Sequence, residues 1–172
     1  MSMAADDIPA GFQPFPVDEG FVERIGPLYW KLDGDHGVLG FRVLEHHLNP
    51  VGICHGGMMM SVMDMAVGFN LRLASGTQAF PPSIQLAYDF LQPGRAGDWL
   101  QSAIDFTHTT PRMGFANGLL VGSEGPVLRC NGICRLPRAD DPRFGTGARF
   151  TRLPGDAEKD NNDTQDTTEE QS

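Results

Sequence analysis

The apolar residues of this chain follow two rhythms, and the change from one to the other predicts the architecture. Between Met58 and Leu73 the only strongly polar positions are Ser61, Asp64, Asn70 and Arg72. That is the pattern of a helix apolar on nearly all sides, which other parts of the protein must wrap. Gly56-Gly57 supplies a plausible start, and Ala74-Ser75-Gly76-Thr77 a plausible stop. With two charges in sixteen residues the segment is too short and too polar to span a bilayer. After Pro81-Pro82 the period becomes two. Ile84, Leu86, Tyr88 and Phe90 alternate with Gln85, Ala87 and Asp89. Trp99 to His108 carries Leu100, Ile104 and Phe106 in register. Met113 to Ser123 puts Met113, Phe115, Leu119 and Val121 on one face, and Pro126 to Leu136 turns Leu128, Cys130, Cys134 and Leu136 inward.

Ahead of the helix, Leu28 to Asp33 and Val38 to Leu44 flank Gly34-Asp35-His36-Gly37, a hairpin turn by composition and length. Phe21 to Ile25 is a short helix candidate packing Phe21 and Ile25. Pro93-Gly94 and Glu124-Gly125 are turns between the later strands. Four long strands joined by short turns after one buried helix predict an α+β domain, its meander curled around that helix. Residues 1–20 read as an extended arm pinned by Phe12, Phe15 and Phe21, residues 21–138 as the domain, and residues 139–154 as a loosely packed extension. Residues 155–172 are an acidic segment without apolar anchors, expected to be disordered.

Charge and cysteines narrow the classes. Seven acids against Lys159 put −6 of the net −9 in residues 155–172, so the body stands near −3 and nucleic acid is a poor partner. An odd count of three cysteines, with Cys130 and Cys134 four apart, predicts reduced buried thiols. The first residues lack a positive and an apolar region, so the expected location is cytoplasmic. His46-His47 lacks a third ligand at a convincing spacing, and no metal is expected.

Asp64 is the anomaly, because an ionised carboxylate in an apolar helix costs several kcal/mol unless it is paired. Asn49, His55, Gly56, Gly57 and Asp64 form Asn-x5-His-Gly-Gly-x6-Asp. This pattern resembles the signature of hotdog-fold acyl-CoA thioesterases, most nearly the phenylacetate-degradation (PaaI-like) type. The similarity continues through Ser83-Ile-Gln-Leu-Ala-Tyr-Asp-Phe and ends near Arg138. It implies a hotdog fold, an antiparallel sheet around a long helix, assembled as two-fold dimers and often as dimers of dimers. It also implies hydrolysis of acyl-CoA, with medium-chain or aryl acyl groups, and no cofactor beyond the coenzyme A of the substrate.

Eight helical residues separate Gly56 from Asp64, a rise of roughly 12 Å. A general base must come within about 3 Å of the proton it takes. The two therefore cannot serve one thioester carbon from the same chain, and a two-fold dimer resolves this if Asp64 crosses to the twin's Gly56. In that scheme the Gly56 N–H, aided by Gly57, polarises the carbonyl, and Asp64 is base or nucleophile. The resemblance adds Asn49 and Ser83 as hydrogen-bonding partners, although Asn49 also suits a turn before Pro50 and Ser83 a strand start. His55 fits a cap better than a proton donor. Arg112 and the weaker Arg95 are candidates for the coenzyme A phosphates, against an ordinary solvated role. Cys54 lacks an ordered base and is a poor nucleophile candidate. A non-catalytic acyl-CoA-binding module is the alternative; a hydratase fits His-Gly-Gly-x6-Asp poorly.

Overall fold

The computed structural model describes residues 7–16, 20–77 and 79–138. The expectations for residues 139–154 and 155–172 lie outside them. The elements are β1 (Gln13–Pro14), α1 (Gly20–Ile25), β2 (Tyr29–Asp33), β3 (His36–Arg42), α2 (Gly56–Ser75), β4 (Ser83–Phe90), β5 (Trp99–Thr109), β6 (Met113–Gly122) and β7 (Gly125–Arg135). Seven strands form one antiparallel sheet in the order β1-β2-β3-β5-β6-β7-β4, and α2 lies across its inner face. This is the hotdog arrangement.

The helix begins where His55 caps it and ends where Gly76 takes a left-handed φ of 66°, which glycine adopts without strain. Its apolar residues Val62, Met63, Ala66, Val67, Phe69 and Leu71 are fully buried against Leu39, Phe41, Leu100, Leu120 and Leu128. Burying each large apolar side chain contributes about 1.5–3 kcal/mol. Asn70, polar in the middle of this core, is satisfied: its amide donates to Gly37 O at 2.8 Å and Ala66 O at 2.9 Å. It also accepts from Gly37 N at 3.0 Å, so α2 is stitched to β3.

The meander needs one correction. β5, β6 and β7 follow one another, but β4 pairs with β7 at the far edge and β3 pairs with β5. Residues 91–98 therefore form a crossover, tied by Leu91 N–H to Val127 O at 2.9 Å. Three register slips interrupt the ladders, at Ser83/Gln85, Ile104/Phe106 and Leu120/Val121, and the first two change which residues face inward. The β4 register slips between Ser83 and Gln85, so Ser83 shares the inner face with Leu86, Tyr88 and Phe90 while Ile84 is 58% exposed. A second slip between Ile104 and Phe106 buries the first and leaves the second 47% exposed.

On β6 the inner face is the small one, Gly114, Ala116, Gly118 and Leu120. A Cβ at Gly114 would meet Leu71 at 2.9 Å, and one at Gly132 would meet Val67 at 2.7 Å. These strand glycines are the seat of α2. The N-terminal segment is pinned by Phe12, whose ring stands edge-on to Trp99 at 4.9 Å, and by buried Phe15. Phe21 does not share this role: it is 62% exposed, and α1 packs against the core only through half-buried Val22 and Ile25. The hairpin turn is shorter than expected. Asp33 pairs with His36 across Gly34-Asp35, with Gly34 at φ 58°.

Candidate active site

The loop from Leu48 to His55 delivers the helix tip. Asn49 Oδ1 accepts from Val51 N at 3.1 Å and Ile53 N at 3.3 Å, closing a tight turn around left-handed Gly52. The carbonyl end of that amide is thus committed to its own loop, and Nδ2 has no partner among the described residues. His47, buried, receives Leu44 N–H at Nδ1 (3.0 Å) and so donates through Nε2 to Ile25 O at 2.9 Å. Burial, then the neighbouring His46, lowers its pKa from the ordinary histidine value. The His pair anchors the loop: His46 Nε2 reaches Gly26 O at 2.9 Å, and His55 N–H bonds to His47 O at 2.8 Å.

At the tip the orphan N–H groups are nearly all satisfied. His55 Nδ1 accepts from Gly57 N at 2.9 Å, and His55 O accepts from Met58 N at 2.9 Å and Met59 N at 3.3 Å. Among the described residues only the Gly56 N–H of this turn has no partner. The Gly57 N–H, expected as a helper donor, is engaged by the His55 cap. In the neutral His55 ring the proton sits on Nε2.

Asp64 is half-buried, not buried. The reason lies in the sheet: β4 is an edge strand, so one chain wraps α2 incompletely and leaves a stripe through Met60, Ser61 and Asp64 accessible. The bulge-turned Ser83 hydroxyl makes a short hydrogen bond to Asp64 Oδ1, and Cys134 Sγ lies 3.9 Å from Ser83 Oγ. Tyr88 donates to Met60 O at 3.2 Å, fixing the spacing of strand and helix midway along β4.

The two candidate groups lie at opposite ends of β4. Asp64 sits with Ser83 where the strand begins. Gly56 sits beside Phe90 where it ends, since a Cβ on Gly56 would approach the Phe90 ring to 2.9 Å. Arg112 is exposed in the β5–β6 connection, at the Ser83 end, because Ser83 and Gly114 both pair with Cys134. Arg95 is at the Gly56 end, bridged to Ile53, with its guanidinium 3.2 Å from Glu124. The alternation places Tyr88 and Phe90 on one face with Leu86 but gives them no role at the site; the edge position that brings them there is not legible in the sequence.

The cysteines are thiols. Burial, and then the charge of Asp98, pushes Cys54 up to about 12; burial, and then Asp64, pushes Cys130 up to about 12. Burial also raises Cys134, against the lowering effect of its Ser83 contact. At pH 7.5 iodoacetamide is expected to label none of the three in the folded protein and all three in urea, read by intact mass. Rapid labelling of native Cys54 would contradict this.

Residues 51–125 match the family model described as thioesterase superfamily. A Pseudomonas aeruginosa protein named as an esterase is 28% identical over 132 residues, 76% of this chain and 98% of its own. Among solved structures, the E. coli PaaI protein from the phenylacetic acid degradation operon superposes with TM-score 0.60 at 23% identity, covering 68% of this chain and 83% of that one. A Streptococcus pneumoniae thioesterase protein determined with coenzyme A gives 0.61 at 18% identity, covering 67% and 90%.

Proposed function

We propose that this chain, whose residues 51–125 match the thioesterase superfamily model, hydrolyses acyl-CoA thioesters with medium-chain or aryl acyl groups, at sites shared between two copies. The observation that carries the reading is the pairing of a half-exposed, Ser83-bonded Asp64 with an unpartnered Gly56 N–H, at opposite ends of one free edge strand. Antiparallel pairing of β4 with a second β4, about a two-fold axis at its middle, sets Ser83 of each chain opposite Phe90 of the other. Each Asp64 then faces the partner's Gly56, and two sites form per dimer. The unpaired β4 edge, with exposed Ile84 beside it, is a surface that such pairing would cover.

In this reading the Gly56 N–H, at the positive end of the α2 dipole, binds the thioester carbonyl oxygen as charge builds on it. Ser83 occupies one Asp64 oxygen and holds the carboxylate plane, leaving the other to accept a proton from water. That water attacks the carbonyl carbon. The tetrahedral oxyanion collapses with cleavage of the C–S bond, and the departing thiolate takes the proton from Asp64. The products are the free acid and coenzyme A. Asn49 Nδ2, its orientation fixed by the loop bonds to Oδ1, remains a donor for water or carbonyl. Arg112 keeps the role of a phosphate contact more readily than Arg95, which Glu124 already engages.

The test is thiol release from a panel of acetyl-, hexanoyl-, benzoyl- and phenylacetyl-CoA. Turnover is expected with the larger acyl groups. Binding without release would make the chain a ligand-binding module.

A further inference from the structure

We propose that Phe90 is the acyl-selecting wall of the site, the surface against which the substrate's acyl group packs; this rests on the hydrolase reading and extends it to what sets chain preference. Phe90 lies on the inner face of β4, paired with Leu128, and its position is held by the adjoining Leu91 N–H bond to Val127 O. It is therefore not a loop tip. Its ring occupies the space a Cβ on Gly56 would need, with Cε1 at 2.9 Å and Cζ at 3.0 Å, so it stands directly beside the proposed carbonyl donor.

Yet the residue is 54% exposed, and its apolar neighbours Leu91 and Met60 are 49% and 36% exposed. A half-open aromatic ring beside the helix-tip N–H that has no partner among the described residues is badly placed for core packing and well placed for a ligand. Tyr88, two residues before Phe90, hydrogen-bonds Met60 O at 3.2 Å and so ties the same strand to α2. An acyl chain leaving a carbonyl at Gly56 meets the Phe90 face first. Apolar pockets discriminate by roughly 10- to 200-fold per methylene group, so the size of this wall bears directly on substrate choice.

The experiment measures binding of two non-hydrolysable thioethers, S-methyl-CoA and S-hexyl-CoA, to the full chain and to Phe90→Ala and Phe90→Leu, by calorimetry. Wild type is expected to prefer the hexyl ligand. Phe90→Ala should cut that preference by on the order of tenfold, weakening S-hexyl-CoA far more than S-methyl-CoA, and Phe90→Leu should fall between. A preference unmoved by either variant overturns the proposal. So does an equal loss for both ligands, the mark of a purely structural role, or a wild type that binds neither. Gel filtration and melting identify a variant that fails to fold, in which case Phe90→Leu decides. Thiol release by wild type is scored separately. No release with an intact Phe90-dependent preference removes the reaction and keeps the wall; release with a Phe90-independent preference does the reverse.

Discussion

Asp64→Asn is expected to lower kcat for thioester hydrolysis by about 100- to 10,000-fold, the range for removing a positioned general base, with little change in KM. The substitution keeps size and shape, and the Ser83 hydroxyl can still donate to the amide oxygen. What disappears is the oxygen able to take a proton from water. Because Asp64 is half-exposed at the margin of α2, its exchange for a neutral group should leave the melting temperature close to wild type. The check is steady-state thiol release beside a thermal melt. Activity within tenfold of wild type would remove Asp64 from the chemistry.

Gly56→Pro should cost about 100- to 1,000-fold in kcat, the usual effect of losing one oxyanion donor, while Gly56→Ala should cost much less. The pair isolates a single hydrogen. Gly56 is the first helical residue after the His55 cap, a position where proline is favoured. His55 already has the extended backbone that a following proline requires, at φ −62° and ψ 133°. Proline therefore preserves the helix and deletes the N–H. Both variants place a Cβ against the Phe90 ring, but that ring is half-exposed and free to give way. Alanine keeps the donor and so reports the steric cost alone. Equal losses in the two variants would assign the effect to crowding.

Much of this was legible in the sequence because local chemistry agreed with the fold. Gly56-Gly57 and Gly76 bracket α2 where the structure ends it. The inward set Leu128, Cys130 and Cys134 on β7 is buried as its alternation predicts. The failures arise where long-range contacts decide. Nothing local reveals that β4 leaves the meander to pair with β7, because that choice depends on β3 docking on β5. The bulge at Ile84 is equally silent, yet it turns Ser83 toward Asp64. Gly114 and Gly132 are unfavourable strand residues by propensity, and only the approach of Leu71 and Val67 explains them. Asp64 was expected in a fully wrapped helix. A single chain cannot wrap α2 fully with β4 at its edge, and that incompleteness is the physical ground for expecting a second copy.

The most direct measurement mixes two dead chains. Asp64→Ala and Gly56→Pro are unfolded together and refolded, and thiol release is compared with each variant refolded alone. If sites are built across the two-fold axis, random pairing yields half heterodimers, each with one site joining an intact Gly56 to an intact Asp64, and activity returns to about a quarter of wild type. If each site lies within one chain, every site in the mixture still lacks a component, and a mixture as inactive as its parents would contradict the shared-site account.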